Sequence, residues 1–233
     1  MRIIPVLDLK GVVVVHARRG RRVDYAPLRS PLVDGCEPVA VARALCAACR
    51  TSDLYVADLD ALAGNPGDGA MLTALASVSE PWVDAGATTP DRATVLERAG
   101  VARNVIGTES IGSGRPAAPL LPLPGPPLVL SVDLRDGRLI SPDPALAGRA
   151  PTAAAPVARR MAVREVLVID LARVGSGAGP PLEAMAELSA ALPELAIYAG
   201  GGVRDDADLR ALESVGAAGA LVATALHEGR LTP

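Results

Sequence analysis

The chain has 233 residues, half of them apolar, and a formal net charge of −3. A chain of that size buries enough surface to stand as one domain without disulfides or a structural metal, and its acidic balance excludes a nucleic-acid-binding face built on excess positive charge. With no Phe, one Trp and three Tyr, Ala, Val and Leu must fill the core, and aromatic platforms for single strands are excluded as well.

Short apolar runs alternate with longer Ala- and Leu-rich stretches. Strands are predicted at 2–7, 53–58, 81–84, 101–106, 128–133, 164–170, 195–199 and 218–223. There Val, Ile and Leu run together without polar alternation, as in parallel strands covered on both faces. Helices are predicted at 37–50, 68–79, 91–99, 182–192 and 205–215, several opening on a cap such as Thr89-Pro90-Asp91 or Asp205-Asp206. A hairpin is predicted after the first strand, Val12 to Ala17. The basic run behind it, Arg18, Arg19, Arg21 and Arg22, reads more readily as a solvated loop than as a ligand contact. Cys46 and Cys49 form C-A-A-C inside a helical run, with no His or further Cys pair nearby, so a packing role is favoured over a redox or zinc role. The proline-rich stretch 112–127 should not form a full helix, and 141–152 reads as a loop over the open face. No run reaches the ~18 apolar residues of a membrane span. The chain opens on strand-like Arg2–Leu7 without a signal-peptide pattern, so a cytoplasmic protein is expected.

These elements predict an α/β fold: one (β/α)8 TIM barrel over 1–233, built as a duplicated half-barrel. The halves echo each other in order. Leu7-Asp8-Leu9 resembles Val132-Asp133-Leu134, Val56-Ala57-Asp58 resembles Val168-Ile169-Asp170, and Ile106-Gly107-Thr108 resembles Val222-Ala223-Thr224.

Groups at the C-terminal ends of barrel strands share one open face. Asp8 and Asp133 end opposite strands there, and two carboxyls facing each other across a substrate can divide the work of base and acid. Each alone could equally be a turn cap; the equivalence of their repeat positions favours catalysis. Gly200, Gly201 and Gly202 leave the seventh strand and enter a helix, where backbone N–H groups approach an anion closely and the helix N-terminus adds its field; Ala223 and Thr224 follow the eighth strand beside them. Ser176 and Gly177 offer further phosphate contacts after the sixth strand, while Asp58 and Asp170 stand at the same face with function and structure equally supported. His16 and His227 read as ordinary polar residues. No metal-ligand cluster or Walker-type motif is present, and no cofactor is expected.

Ile4-Pro5-Val6-Leu7-Asp8-Leu9-Lys10-Gly11-Val12, Ser131-Val132-Asp133-Leu134-Arg135 and Ala199-Gly200-Gly201-Gly202-Val203 together resemble the HisA/HisF family of histidine-biosynthesis barrels, and its isomerase side more than its cyclase side. The resemblance runs through nearly the whole chain. It implies an Amadori-type aldose–ketose rearrangement of a phosphorylated substrate, with Asp8 as general base, Asp133 as general acid, and Gly201, Gly202, Ala223 and Thr224 gripping phosphate. The chain departs from the family where a second glycine-rich phosphate loop is normal: it reads Asp84-Ala85-Gly86-Ala87-Thr88 and Gly107-Thr108-Glu109, adding two carboxylates that repel a dianion. Ile169 replaces a family threonine. The expectation is therefore a HisA-like enzyme with one phosphate site, acting on a small phosphorylated sugar or ribosyl heterocycle whose other end is neutral or cationic. The alternatives are the phosphoribosylformimino-AICAR-phosphate isomerase of histidine biosynthesis, an enzyme of methanopterin-type cofactor biosynthesis, or a non-catalytic binding barrel. A monomer or small homo-oligomer, with no nucleic-acid or membrane partner, is expected.

Overall fold

The computed structural model describes residues 1–112 and 123–231. Most of the proline-rich stretch lies outside the described residues, and with it the expectation that no full helix forms there. Eight strands make the barrel: β1 Arg2–Lys10, β2 Asp53–Asp58, β3 Glu80–Asp84, β4 Arg103–Gly107, β5 Leu128–Arg135, β6 Glu165–Asp170, β7 Ala196–Gly200 and β8 Gly219–Val222. Neighbours in this order pair in parallel, and β8 closes on β1 from Arg2↔Gly219 to Pro5↔Val222. Closure leaves no open edge.

The outer helices are α1 Pro38–Cys49, α2 Gly69–Ala76, α3 Pro90–Arg98, α4 Ala155–Arg160, α5 Leu182–Ala191 and α6 Asp206–Ser214, with single turns of helix at Leu59–Leu62 and Thr224–His227. Local chemistry starts them. Glu37, Asp68 and Asp205 each accept two backbone N–H groups of the first turn, and Pro38 and Pro90 sit where a missing N–H costs nothing. Cys46 and Cys49 ride on α1 as free thiols, Cys46 within the core.

Strand residues alternate between two apolar layers, because side chains two apart share a face. Leu7, Leu54, Val56, Val83, Ile106, Leu130, Val132 and Val168 point outward beneath the helices. Ile4, Tyr55, Trp82, Val105, Val129, Leu167, Tyr198 and Leu221 fill the barrel itself. At the closed N-terminal end of the barrel, Arg2 donates to Asp53 at 2.6 Å and Arg103 to Glu165 at 2.5 Å. The Arg103 guanidinium lies 4.5 Å from the Trp82 ring centre. This satisfied network closes one end of the barrel, and the chemistry is left to the other.

The two halves correspond in space. Strand β1 runs past Asp8 and turns at Gly11, with φ of 62°, into an antiparallel strand, Val13–His16. Strand β5 runs past Asp133 and turns at Asp136-Gly137, with φ of 53° and 73°, into the shorter strand Arg138–Leu139. Residues 141–150 form a loop after the second hairpin.

Candidate active site

The C-terminal mouth of the barrel holds a cleft of about 970 Å³, its open mouth included. Its floor is set by strand parity. Val6 and Asp8, Tyr55 and Ala57, and Asp133 face inward, and so do Ile169 and Gly200. Asp8 pairs across the sheet with Ala57, while Asp133 pairs with Ile169 on the opposite wall. The two aspartates share one cavity, each carried by a rigid strand.

Their environments differ. Asp8 accepts no hydrogen bond among the described residues, and burial pushes its carboxyl up to about 7, with the Arg22 guanidinium pulling partly the other way. Asp133 is raised well above the usual carboxylate range, first by burial and then by the nearby Glu109 and Asp84. It is held on three sides: the Ser131 hydroxyl donates to it at 2.6 Å, the Glu109 N–H at 3.2 Å, and the Thr108 hydroxyl accepts its own N–H at 3.0 Å. Gly107 makes room for it, since a Cβ there would overlap the Asp133 carboxyl. Near neutral pH Asp8 is poised between its forms, while burial and the neighbouring carboxyls favour the protonated form of Asp133.

The rim after β6, β7 and β8 is backbone-rich. Gly175, Gly177, Gly201 and Gly202 line it with Ala223 and Thr224. Gly201 and Gly202 have φ of 93° and 84°, and a Cβ on Gly202 would overlap the Gly179 carbonyl. Only glycine fits, so the chain turns tightly and leaves its main chain open to the cleft. The field expected from the following helix is largely spent within the helix itself. Asp205 caps α6, and Asp206 and Asp208 crowd its first turn, so the helix satisfies its own N-terminus. The loop is what faces an anion.

The remaining predicted residues lie differently. Asp58 and Asp170 are buried but do not line the cleft, because they are out of phase with the inward set. Asp58 accepts the Ala61 N–H at 2.9 Å, and Asp170 accepts the N–H groups of Gly137 and Ala172 at 3.1 and 3.0 Å. Ser176 turns into its own loop, donating to the Arg173 carbonyl at 2.7 Å. His16 meets the Thr224 hydroxyl at 3.1 Å and His227 meets Ser30 at 2.9 Å.

Three groups come to the cleft that the sequence did not single out as ligand contacts. Arg22, the last of the basic run, folds inward from the loop after Val13–His16 and donates to Glu109 at 2.5 Å. Tyr25 stands beside it, its hydroxyl pushed up to about 12 by burial and by Asp8. Tyr55 donates to Asp84 at 3.3 Å, and Asp84 is itself raised to about 7 by burial and by Glu109. Counting back by twos from an inward-facing strand end would have marked Tyr55; nothing in the local sequence marks which arginine of the run turns in. Among the described residues there is no grouping of His, Cys, Asp or Glu suited to a metal, and no helix is long and apolar enough to cross a membrane.

Known proteins share this chain's pattern along its length. The family model described as "Histidine biosynthesis protein" matches residues 2–232. A 1-(5-phosphoribosyl)-5-((5-phosphoribosylamino)methylideneamino)imidazole-4-carboxamide isomerase of Rubrobacter xylanophilus is 34% identical over 99% of this chain and 93% of its own length. The isomerase of the same name from Desulforudis audaxviator is also 34% identical, over 100% of this chain and 88% of its own. An uncharacterized protein of Methanocaldococcus jannaschii is 27% identical over 99% and 95%.

Proposed function

The chain belongs to the histidine biosynthesis protein family and is an enzyme of isomerase type, and from that premise we propose that Asp8 and Asp133 carry out an aldose–ketose rearrangement of a phosphorylated ribosylamine. Asp8, ionised near neutral pH, takes the proton from the sugar C2. Asp133, still protonated, delivers one to the ring oxygen as the ring opens. Asp8 then passes that proton to C1 of the enolamine while the C2 hydroxyl gives its proton back to Asp133, so the ketone forms, both carboxyls are restored and the substrate is isomerised without net redox change. The observation that carries this reading is the pair of opposed carboxyls in a single cleft, both raised by burial, one beside Arg22 and the other hydrogen-bonded by Ser131 and the Glu109 N–H.

The phosphate of the substrate sits against Gly201, Gly202, Ala223 and Thr224, where main-chain N–H groups suit an anion. Identity of 34% across nearly the full chain supports the substrate named for the relatives, which carries two phosphoribosyl groups. A second reading, a substrate with one phosphate, is favoured by Asp84 and Glu109 on the far rim, where they face any second dianion.

The test is turnover by the purified protein of the relatives' bis-phosphorylated substrate, beside mono-phosphorylated ribosylamines. Turnover of the bis-phosphate at an efficiency typical of enzymes, about 10⁴ M⁻¹s⁻¹ or more, supports the histidine reaction. Turnover of the mono-phosphate alone supports the second reading, and turnover of neither set refutes the proposed class of substrate.

A further inference from the structure

The far rim sets two carboxyls, Asp84 and Glu109, against one guanidinium. Among the described residues, Asp8, Asp84, Glu109 and Asp133 line one cleft with two arginines, of which Arg230 pairs with Glu228 and Arg22 alone contacts one of these four acids. Its Nη2 contacts Glu109, leaving Asp84 with the Tyr55 hydroxyl at 3.3 Å and a long 3.5 Å approach from the Gly86 N–H. The Asp8 carboxylate has no hydrogen-bond donor among the described residues although it lines the cleft. On this rim Asp84 and Glu109 share the single guanidinium of Arg22, which pairs with Glu109 alone, so a second positive group, or a better placed one, has a carboxyl to meet in a setting where charge is poorly screened.

Arg22 also differs from its neighbours in how it is held. The four acids stand on barrel strands or on the turn directly after β4. Arg22 comes from one turn of 3-10 helix, Arg22–Asp24, in a loop whose Arg21, Val23 and Asp24 are exposed. Besides Glu109, its backbone carbonyl accepts from Lys10 at 3.2 Å, an exposed contact.

We propose that the acidic rim is a cation subsite, that Arg22 is its tethered occupant, and that an amine or amidinium group at the substrate's far end displaces the guanidinium to bind there. This rests on the one-phosphate reading above and names the chemistry of the substrate's other end. Such an exchange swaps one charged hydrogen-bonded pair for another, so a cation is accepted at small cost while a dianion meets Glu109 and Asp84. The cleft thereby takes its substrate in one orientation, with phosphate against glycine and cation against carboxylate.

Methylguanidinium is the probe, titrated calorimetrically into the wild-type protein and into Arg22→Ala. With the tether removed, methylguanidinium should bind about tenfold more tightly than to wild type, a difference of about one unit in log Kd. The added change Glu109→Gln should abolish the gain. Inorganic phosphate, read in parallel, should bind all three proteins equally, because its site is on the opposite rim. If Arg22→Ala fails to fold, Arg22→Gln keeps the length of the side chain without its charge and serves in its place. Two outcomes overturn the proposal: no gain of methylguanidinium affinity in either variant, or a loss of phosphate affinity on removing Arg22, which would make the arginine an anion contact. Neither readout involves turnover, so failure here is distinguishable from failure of the acid/base roles of Asp8 and Asp133.

Discussion

Two rims of the same mouth face each other with opposite chemistry. The rim after β6 to β8 offers the main chain of Gly175, Gly177, Gly201 and Gly202 among apolar side chains such as Val174 and Val203. The rim after β3 and β4 offers Asp84 and Glu109, with Arg22 folded in to meet them. Both rims end equivalent strands of a repeated half-barrel, so their difference cannot come from the scaffold. It comes from which residues the turns carry, and it gives the cleft a direction. Between the rims, β1 and β5 hold the two aspartates, and the acidic rim sets them apart: burial and then Glu109 and Asp84 raise Asp133, while Arg22 partly offsets the effect of burial on Asp8.

The sharpest way to break this contrast is at its centre. Asp8→Asn and Asp133→Asn are each expected to lower kcat by about 10³-fold, the size of a lost general base or acid, with little change in melting temperature. Unchanged turnover in either would remove that carboxyl from the chemistry. On the glycine rim, Gly202→Ala puts a Cβ against the Gly179 carbonyl at a backbone φ of 84°. A rise in KM of about tenfold with kcat largely retained, and a stability loss of roughly 1–3 kcal/mol, are expected, measured by steady-state kinetics and denaturant unfolding.

Two pH experiments sharpen the acidic side. Because Asp8 must be ionised to act as base and is pushed up to about 7, kcat/KM should climb as pH rises through about 7. A flat profile from about pH 5 to 8 would put the base elsewhere. The smallest effect is on stability. Asp84 is raised from 3.8 to about 7 in the fold, so the folded state resists its ionisation; that resistance is absent below about pH 4 and fully felt above about 7. Asp84→Asn should therefore gain about 1–2 kcal/mol at about pH 8, roughly 2–8 °C in melting temperature, and nothing near pH ~4. An equal gain at both values would assign the change to packing and not to charge.

Much of the barrel was legible because its signals are local. Runs such as Leu128-Val129-Leu130-Ser131-Val132 and Val166-Leu167-Val168 read as strands covered on both faces, and of the two expected caps Asp205 satisfies backbone N–H groups while Thr89 precedes its helix without a side-chain bond. The paired aspartates and the glycine turn were legible for a similar reason, since their positions at strand ends follow from the strands themselves. Parity was harder. Asp58 and Asp170 end β2 and β6 at the level of Leu9 and Leu134, one residue past Asp8 and Asp133, and that one residue of phase turns them away from the cleft. A strand apolar on both faces hides its phase from a reading of hydropathy.

What the sequence by itself determined is the set of elements, their order and the chemistry at each strand end: the aspartates of β1 and β5, the glycines after β7, and the acids that stand where a second phosphate loop is usual in the family. Tertiary structure alone decided that Arg22 reaches Glu109 from 87 residues away, that Asp133 feels Asp84 and Glu109, and that Tyr55 joins them. The reason is physical. Secondary structure follows from contacts within a few residues, whereas the proton affinity of a buried carboxyl is set by every charge and dipole around it, and only closure of the barrel brings those together.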